Sequence, residues 1–315
     1  GAVFHAVDRT LERPAALKIL PAEFSQNPEY IARFLREARS VAAIKHENIV
    51  QVYAAGEQDG QYYIAMELVD GCNLLAHVEK KKQITEDEGL DLLTQAAKGL
   101  AAAHNKNLVH RDIKPENLLM GNDGVLRIVD FGLVMESTST TQLTATGACL
   151  GTPMYMSPEQ ADGEQADART DIYSLGVTFY RIFTGQPPFQ SATVMNLLFK
   201  HKFEAPPDPK TLRPQLSQNV RNLLLNMMAK AREQRPQNAQ KLVEMIELAR
   251  QGKAVPEPAV FISPTTGASS ATMISPAGQF APRSQKKGIF IAAGVAGVLL
   301  VVGLVFALKG GGNDS

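Results

Sequence analysis

Two carboxylates, Asp112 and Asp130, stand eighteen residues apart in the stretch LVHRDIKPENLLMGNDGVLRIVDFG at 108–132. Between them, apolar runs at 118–120 and 125–129 flank Asn122, Asp123 and Gly124. Asp-Gly between alternating apolar residues predicts a tight hairpin. Folding at that turn returns Asp130 toward Asp112 and Asn117, so that two carboxylates and a carboxamide face one cleft. Hard oxygen donors of this kind suit Mg²⁺, which completes its shell with substrate phosphates. The chemistry these residue types point to is the handling of a metal-bound phosphate.

The rest of the chain must hold that stretch in place. Apolar residues on both sides of a single charge, Lys18, in AALKIL at 15–20 predict a strand with a functional lysine. Asn27 and Pro28 open a helix as N-cap and first-turn residue, and Ile31, Phe34, Leu35, Ala38, Val41 and Ala42 follow at helical spacing. Strands are expected at about 49–55 and 61–68 around a turn at Gln58, Asp59 and Gly60. TEDE at 85–88 is a capping box, and the helix behind it is expected to run to about Asn105 and deliver the chain to the 108–132 stretch. The segment 167–185 predicts a buried helix ending at Gly185. Helices near 192–201, 218–229 and 238–250 follow, closed by Gly252.

HRDIKPEN at 110–117 and DFG at 130–132 resemble the catalytic core of the eukaryotic-type protein kinases, H-R-D-L-x-x-x-N followed by D-F-G, with Ile113 in place of Leu. The resemblance implies ATP and Mg²⁺, with Mn²⁺ as a substitute, and a role for each residue. Asp112 would accept the proton of the substrate hydroxyl, Lys114 would sit by the transferring phosphate, and Asn117 and Asp130 would hold the metal. A lysine at 114 is similar to serine/threonine kinases rather than tyrosine kinases. Lys18 in AALK would pair the ATP phosphates and a helix glutamate, for which Glu37 is the choice over Glu29 and Glu47. MELVDG at 66–71 resembles the hinge between kinase lobes. Met66 would be the gatekeeper, Glu67 and Val69 would offer backbone groups to adenine, and Ala16 and Leu119 would complete the ATP-binding set. Gly1 and Val3 match only the end of the family's G-x-G-x-x-G-x-V loop, which implies an N-terminally clipped fragment lacking the first strand.

Beyond DFG, a run rich in Ser and Thr ends in GTPMYMSPE at 151–159 and resembles an activation segment. Thr138, Thr140, Thr141, Thr144 and Thr146 are the expected phosphorylation sites, and Thr152 matches the threonine that bonds the catalytic Asp and Lys. Arg111, before Asp112, is a feature of kinases whose loop is ordered by phosphorylation, because a guanidinium grips phosphate bidentately. Asp171 would brace the backbone at His110 and Arg111. Glu159 and Arg235 would form a buried ion pair.

The formal net charge is zero, and no basic stripe points to nucleic acid. Two cysteines, Cys72 and Cys149, make no disulfide framework. Residues 251–287 carry prolines among Ser, Thr, Ala and Gly with no periodic apolar face, which predicts a linker. Residues 288–308 are 21 residues without a charge, long enough to span a bilayer. Arg283, Lys286 and Lys287 precede them, which places the N-terminal part in the cytoplasm. Residues 309–315 form a short tail, expected to be truncated.

The expected protein is therefore an α+β, bilobal kinase over 1–250, resembling the single-span eukaryotic-like kinases of bacteria. It has a small antiparallel sheet with one helix over 1–66, a hinge at 67–72 and a mainly helical lobe over 73–250. It would act on protein substrates, sit in the cell membrane and form a homodimer through the kinase domain or the span. Small residues four apart, Ala292 with Ala296 and Ala293 with Gly297, supply a pairing face in the span. The alternative is a pseudokinase scaffold that binds partners without chemistry; retained Lys18, Glu37, Asp112, Asn117 and Asp130 argue against it.

Overall fold

A computed structural model describes residues 2–131 and 153–259. Gly1, Thr138, Thr140, Thr141, Thr144, Thr146, Thr152 and the 288–308 run lie outside the described residues. No helix among the described residues is long and apolar enough to cross a membrane.

A four-stranded antiparallel sheet, order β1-β2-β4-β3, opens the chain: β1 (Val3–Asp8), β2 (Arg13–Ile19), β3 (Val52–Gln58) and β4 (Gln61–Glu67). The β3–β4 turn uses Asp59 and Gly60, both at positive φ (52° and 77°), the geometry that matches strand twist in a two-residue hairpin. One helix, α1 (Pro28–Ala42), packs on this sheet, its N-cap Asn27 accepting from the Glu29 amide. Phe34 and Ala38 of α1 bury themselves against Ala16, Ile64 and Met66, so one face of the sheet and one stripe of the helix make the smaller core.

The second half is mainly helical. Strand β5 (Gly71–Asn73) pairs with β6 (Leu118–Gly121), and β6 with β7 (Leu126–Ile128), forming a separate three-stranded sheet. The short helix α2 (Leu74–Lys80) follows β5; neither β5 nor α2 has a periodic signal in the sequence. Helix α3 (Glu86–His104) begins at the capping box, in which the Thr85 side chain and Glu88 each satisfy the other's backbone N–H. Its residues Leu90, Leu93, Ala97 and Leu100 are fully buried, and each buried leucine contributes about 1.5–3 kcal/mol. Gly99 lets this helix approach the chain at Asn48: a Cβ there would stand 2.8 Å from the Asn48 carbonyl oxygen.

After the undescribed segment come α4 (Pro158–Ala161), α5 (Ala168–Thr184), α6 (Val194–Phe203), α7 (Gln218–Met227) and α8 (Ala239–Arg250). Helix α5 is buried along most of its length and ends at Gly185 in the left-handed region. The first residues of the expected linker are held on the helical lobe. Asn219 accepts from the Val255 amide (3.1 Å), Asn222 donates to the Val255 carbonyl (3.2 Å), and Asn226 donates to the Pro256 carbonyl (2.8 Å). These side chains, spaced along α7, hold the chain to residue 257 against the helical lobe, and Val255 is buried.

Candidate active site

The β6–β7 hairpin performs the return that the Asp-Gly turn predicts. Leu118 pairs with Ile128, and just beyond that register the Val129 amide donates to the Asn117 carbonyl at 3.0 Å. Asp130 is thereby set next to the 110–117 loop. Residue 48 clamps the hairpin from outside: Asn48 Nδ2 donates to the Leu126 carbonyl (2.8 Å), and the Ile128 amide donates to the Asn48 carbonyl (2.9 Å).

Within the loop, Asp112 is the hub. Lys114 Nζ donates to its Oδ2 at 2.6 Å, and Asn117 Nδ2 donates to the same oxygen at 3.1 Å and to the Asp112 carbonyl at 2.8 Å. With its amide nitrogen so committed, Asn117 presents Oδ1 as the oxygen open to a cation. Asp130 stands at φ 59°, a left-handed backbone that Asp tolerates better than most residues, and its Oδ1 lies 2.7 Å from Lys18 Nζ. Lys18 thus pairs with Asp130 in this structure rather than with Glu37. Glu37 lines a cavity of about 30 Å³ together with Met66, Asp130 and Phe131, so it faces the same corner of the cleft.

The sheet register places the remaining expected residues. Val3 pairs with Lys18 and Ala16 with Met66, and alternation puts Lys18 and Ala16 on one face of β2. Leu119 lies on β6 across from Arg127. Val69 is half-buried beside the smaller core. The Glu67 amide already donates to the Gln51 carbonyl (2.9 Å), and its carboxylate pairs with Arg127 Nε at 2.9 Å, tying the hinge to the hairpin.

Asp171, fully buried on α5, sets the loop's backbone. Its oxygens accept from the His110 amide (2.8 Å), the Arg111 amide (2.7 Å) and His104 Nε2 (2.8 Å). Arg111 is at φ 67°, and its carbonyl accepts from Gln160 Nε2 at 2.8 Å. His110 packs on Phe131, rings 4.7 Å apart, and its Nε2 contacts the Val129 carbonyl at 2.8 Å. Glu159 and Arg235 form a bidentate pair at 2.8 and 2.9 Å, with Thr170 Oγ1 donating to the same carboxylate at 2.8 Å. Burial pushes the Glu159 carboxyl up and the Arg235 guanidinium more than cancels that, leaving it below the usual range.

The sequence alone does not single out Asn48, His104, Gln160 or Thr170. Gln160 and Thr170 carry a signal, as the fourth residues of the capping boxes that start at Ser157 and Asp167.

The site fits ATP with a divalent cation. Among the described residues, no cluster of three His, Cys, Asp or Glu side chains could hold an ion. Asp130 and Asn117 instead offer two oxygens, the partial shell that Mg²⁺ completes with water and phosphate.

Comparisons with known proteins agree with this geometry. Residues 1–245 match the family model described as protein kinase domain. The chain is 38% identical to serine/threonine-protein kinase PrkC of Bacillus subtilis over 72% of its length, but spans only 35% of that protein. It is 33% identical to serine/threonine-protein kinase PknA of Mycobacterium tuberculosis, covering 100% of this chain and 80% of that one. Among solved structures, the PknI kinase domain of Mycobacterium tuberculosis superposes with a TM-score of 0.62 at 27% identity, covering 78% of this chain and 89% of that one. With its lysine, its two aspartates and its asparagine brought to one cleft, this chain belongs to the protein kinase domain family.

Proposed function

We propose that this protein transfers the γ-phosphoryl group of Mg-ATP to serine or threonine hydroxyls of proteins. The observation that carries the reading is the convergence on Asp112: one carboxylate oxygen shared by Lys114 and Asn117, with Asp130 returned beside them and paired to Lys18. Asp112 lies where it can orient a substrate hydroxyl and receive its proton. Lys114 and Lys18 are point charges on flexible stems, each able to turn from its aspartate to a phosphate oxygen. Asn117 and Asp130 would hold the cation, which neutralises charge on the phosphates and aligns them for in-line displacement. The catalytic work left to the chain is positioning and electrostatics. Names of two relatives as serine/threonine-protein kinases support the hydroxyl class.

Finer readings belong to the same proposal. Peptide substrates dock on residues 151–159, whose described part forms a turn and the start of α4. Phosphorylation between Thr138 and Thr146 raises activity through Arg111. The apolar run at 288–308 anchors the chain in a membrane with the kinase on the cytoplasmic side, and two copies associate through the kinase domain or the span.

The test is phosphate incorporation from labelled Mg-ATP into a Ser/Thr-containing protein, with Asp112→Asn as control. Transfer by the parent and its loss in the variant, with nucleotide binding intact, supports the reading. Equal incorporation by both refutes the role of Asp112.

A further inference from the structure

The C-terminal end of α6 is held by a buried polar cluster outside the catalytic stretch. Tyr173 on α5 and His201 on α6 are both fully buried, and the Tyr173 hydroxyl lies 3.0 Å from His201 Nδ1. Burial first, then the nearby charge of Lys230, pushes His201 down to about 3. The ring is therefore neutral at working pH, and this hydrogen bond joins two uncharged groups.

Lys230 enters from the link between α7 and the 3₁₀ turn Arg232–Gln234. Its Nζ donates to the His201 carbonyl (2.7 Å) and the Lys200 carbonyl (3.2 Å), lies 3.4 Å from the Tyr173 hydroxyl, and sits 4.3 Å over the Phe189 ring. The Lys200 carbonyl already accepts from the Glu204 amide, whereas the His201 carbonyl belongs to the last turn, where a helix leaves its acceptors unpaired. A cation at that end also meets the negative pole of the helix. Lys230 is thus a C-terminal cap for α6 supplied by another part of the chain. Burial, and then Arg235, lower its pKa to about 7, and the amine carries N–H donors for these acceptors in either protonation state.

This end of α6 bears on the turn Pro153–Tyr155. Both α5 and α6 pack against the turn. Arg181 Nη1 of α5 donates to the Tyr155 hydroxyl at 2.8 Å and lies 3.9 Å from the Met154 sulfur. On the other side, Lys202 of α6 pairs with Asp162 at the end of α4.

We propose that Lys230 is a positioning residue for the peptide substrate, fixing the end of α6 and, through the Tyr173–His201 pair, the Pro153–Tyr155 turn. The inference rests on the peptide-docking role given above to residues 151–159. The side-chain bonds of Lys230 go to α5 and α6 and not to Asp112, Lys114, Asn117 or Asp130, so the effect is expected on the peptide side of the reaction.

The experiment measures steady-state kinetics of the full chain with a Ser/Thr peptide and Mg-ATP, together with amide hydrogen exchange over residues 153–156. Lys230→Met removes every donor at similar length. The expected result is a peptide KM raised about tenfold, a KM for ATP within twofold of the parent, and faster exchange over 153–156. Lys230→Arg, which keeps a cation and donors, brings the peptide KM back to within about threefold. Tyr173→Phe removes one hydroxyl and should raise the peptide KM about threefold; it carries the kinetic test if Lys230→Met does not fold. An unchanged peptide KM in the folded variants overturns the proposal, as does a KM for ATP that rises in step with it. Exchange needs no catalysis, so a parent chain without transferase activity refutes the kinase reading separately. In that case unaltered exchange in Lys230→Met, or in Tyr173→Phe if the first variant does not fold, overturns the brace.

Discussion

In the cleft, Asp112 and Asp130 each meet a single lysine amine, whereas in the helical lobe Glu159 meets an arginine fork. The two cleft pairs are partly open to water: the side chains of Lys114 and Asp112 are 17% and 25% exposed, those of Lys18 and Asp130 13% and 34%. Arg235 and Glu159 are 0% and 4% exposed. The buried pair is also saturated. Arg235 donates further to the carbonyls of Arg169, Ala229 and Lys230, and Thr170 donates to Glu159. An ammonium on a flexible stem can change partner at little cost, while a guanidinium that satisfies five acceptors cannot. The lysines proposed to meet a phosphate are therefore lightly held, whereas Arg235 is bound at every donor.

The comparison breaks if substitution in the two places has the same consequence. Asp112→Asn removes the proton acceptor but preserves its hydrogen-bonding shape. Turnover should fall by about 10²–10⁴, the range of general-base catalysis, while thermal unfolding stays near the parent's. A melting temperature that drops along with turnover would show that Asp112 is structural as well. Arg235→Met should do the reverse. It leaves a buried carboxylate without its counter-charge, with only the Thr170 hydroxyl donating to it, at a cost of about 3–5 kcal/mol, measurable by chemical denaturation. Loss of activity should then track loss of folded protein.

The sequence discloses these two regions unequally. HRD, DFG and the Asp-Gly turn are local signals, so Asp112, Asn117 and Asp130 are legible together with the hairpin that gathers them. Helices with caps, at Asn27 and Thr85, are legible for the same reason: the cap lies next to the residues it serves. The present partner of Lys18 is not legible, because Asp130 and Glu37 both border the same corner and only the relative placement of α1 and the hairpin chooses between them. The hold on residues 255–257 is invisible for a different reason. Asparagine side chains grip backbone groups there, so neither apolar period nor charge marks the segment, and its prolines make it read as linker. Lys230 and His201 lie 29 residues apart and meet only where the chain after α7 reaches the end of α6.

A smaller effect sharpens the contrast within the cleft. Lys18→Met removes one partner of Asp130 at a part-open position, where ion pairs contribute about 0–1 kcal/mol. Denaturation should therefore show little change. ATP affinity should fall about tenfold or more, since a charge-assisted bond to phosphate is worth about 1.5–3 kcal/mol. Isothermal titration with Mg-ATP checks this. A large stability loss with unchanged affinity would mean that the Lys18–Asp130 pair belongs with Glu159–Arg235 after all.

The finest test uses acid. In the folded parent the Glu159 carboxyl titrates below its reference value of 4.5, because Arg235 outweighs the upward push of burial. A carboxyl with a lowered folded-state pKa contributes stability that is fully present above the unfolded-state value and is lost as pH falls through the folded-state value. Asp167 and Asp208 are lowered as well, so the parent alone does not isolate Glu159. The difference between parent and Arg235→Met does. In the variant, burial acts on Glu159 without its counter-charge and raises the folded-state pKa above the unfolded one. Protonation then relieves a buried charge, and the sign reverses: this carboxyl adds stability to the variant as pH falls through the raised value. The parent's advantage over Arg235→Met, measured by urea unfolding, should be largest at neutral pH and narrow steadily between about pH 6 and pH 3. A gap that stays constant over that interval would show that Glu159 does not answer to Arg235, and the fixed half of the comparison would lose its electrostatic basis.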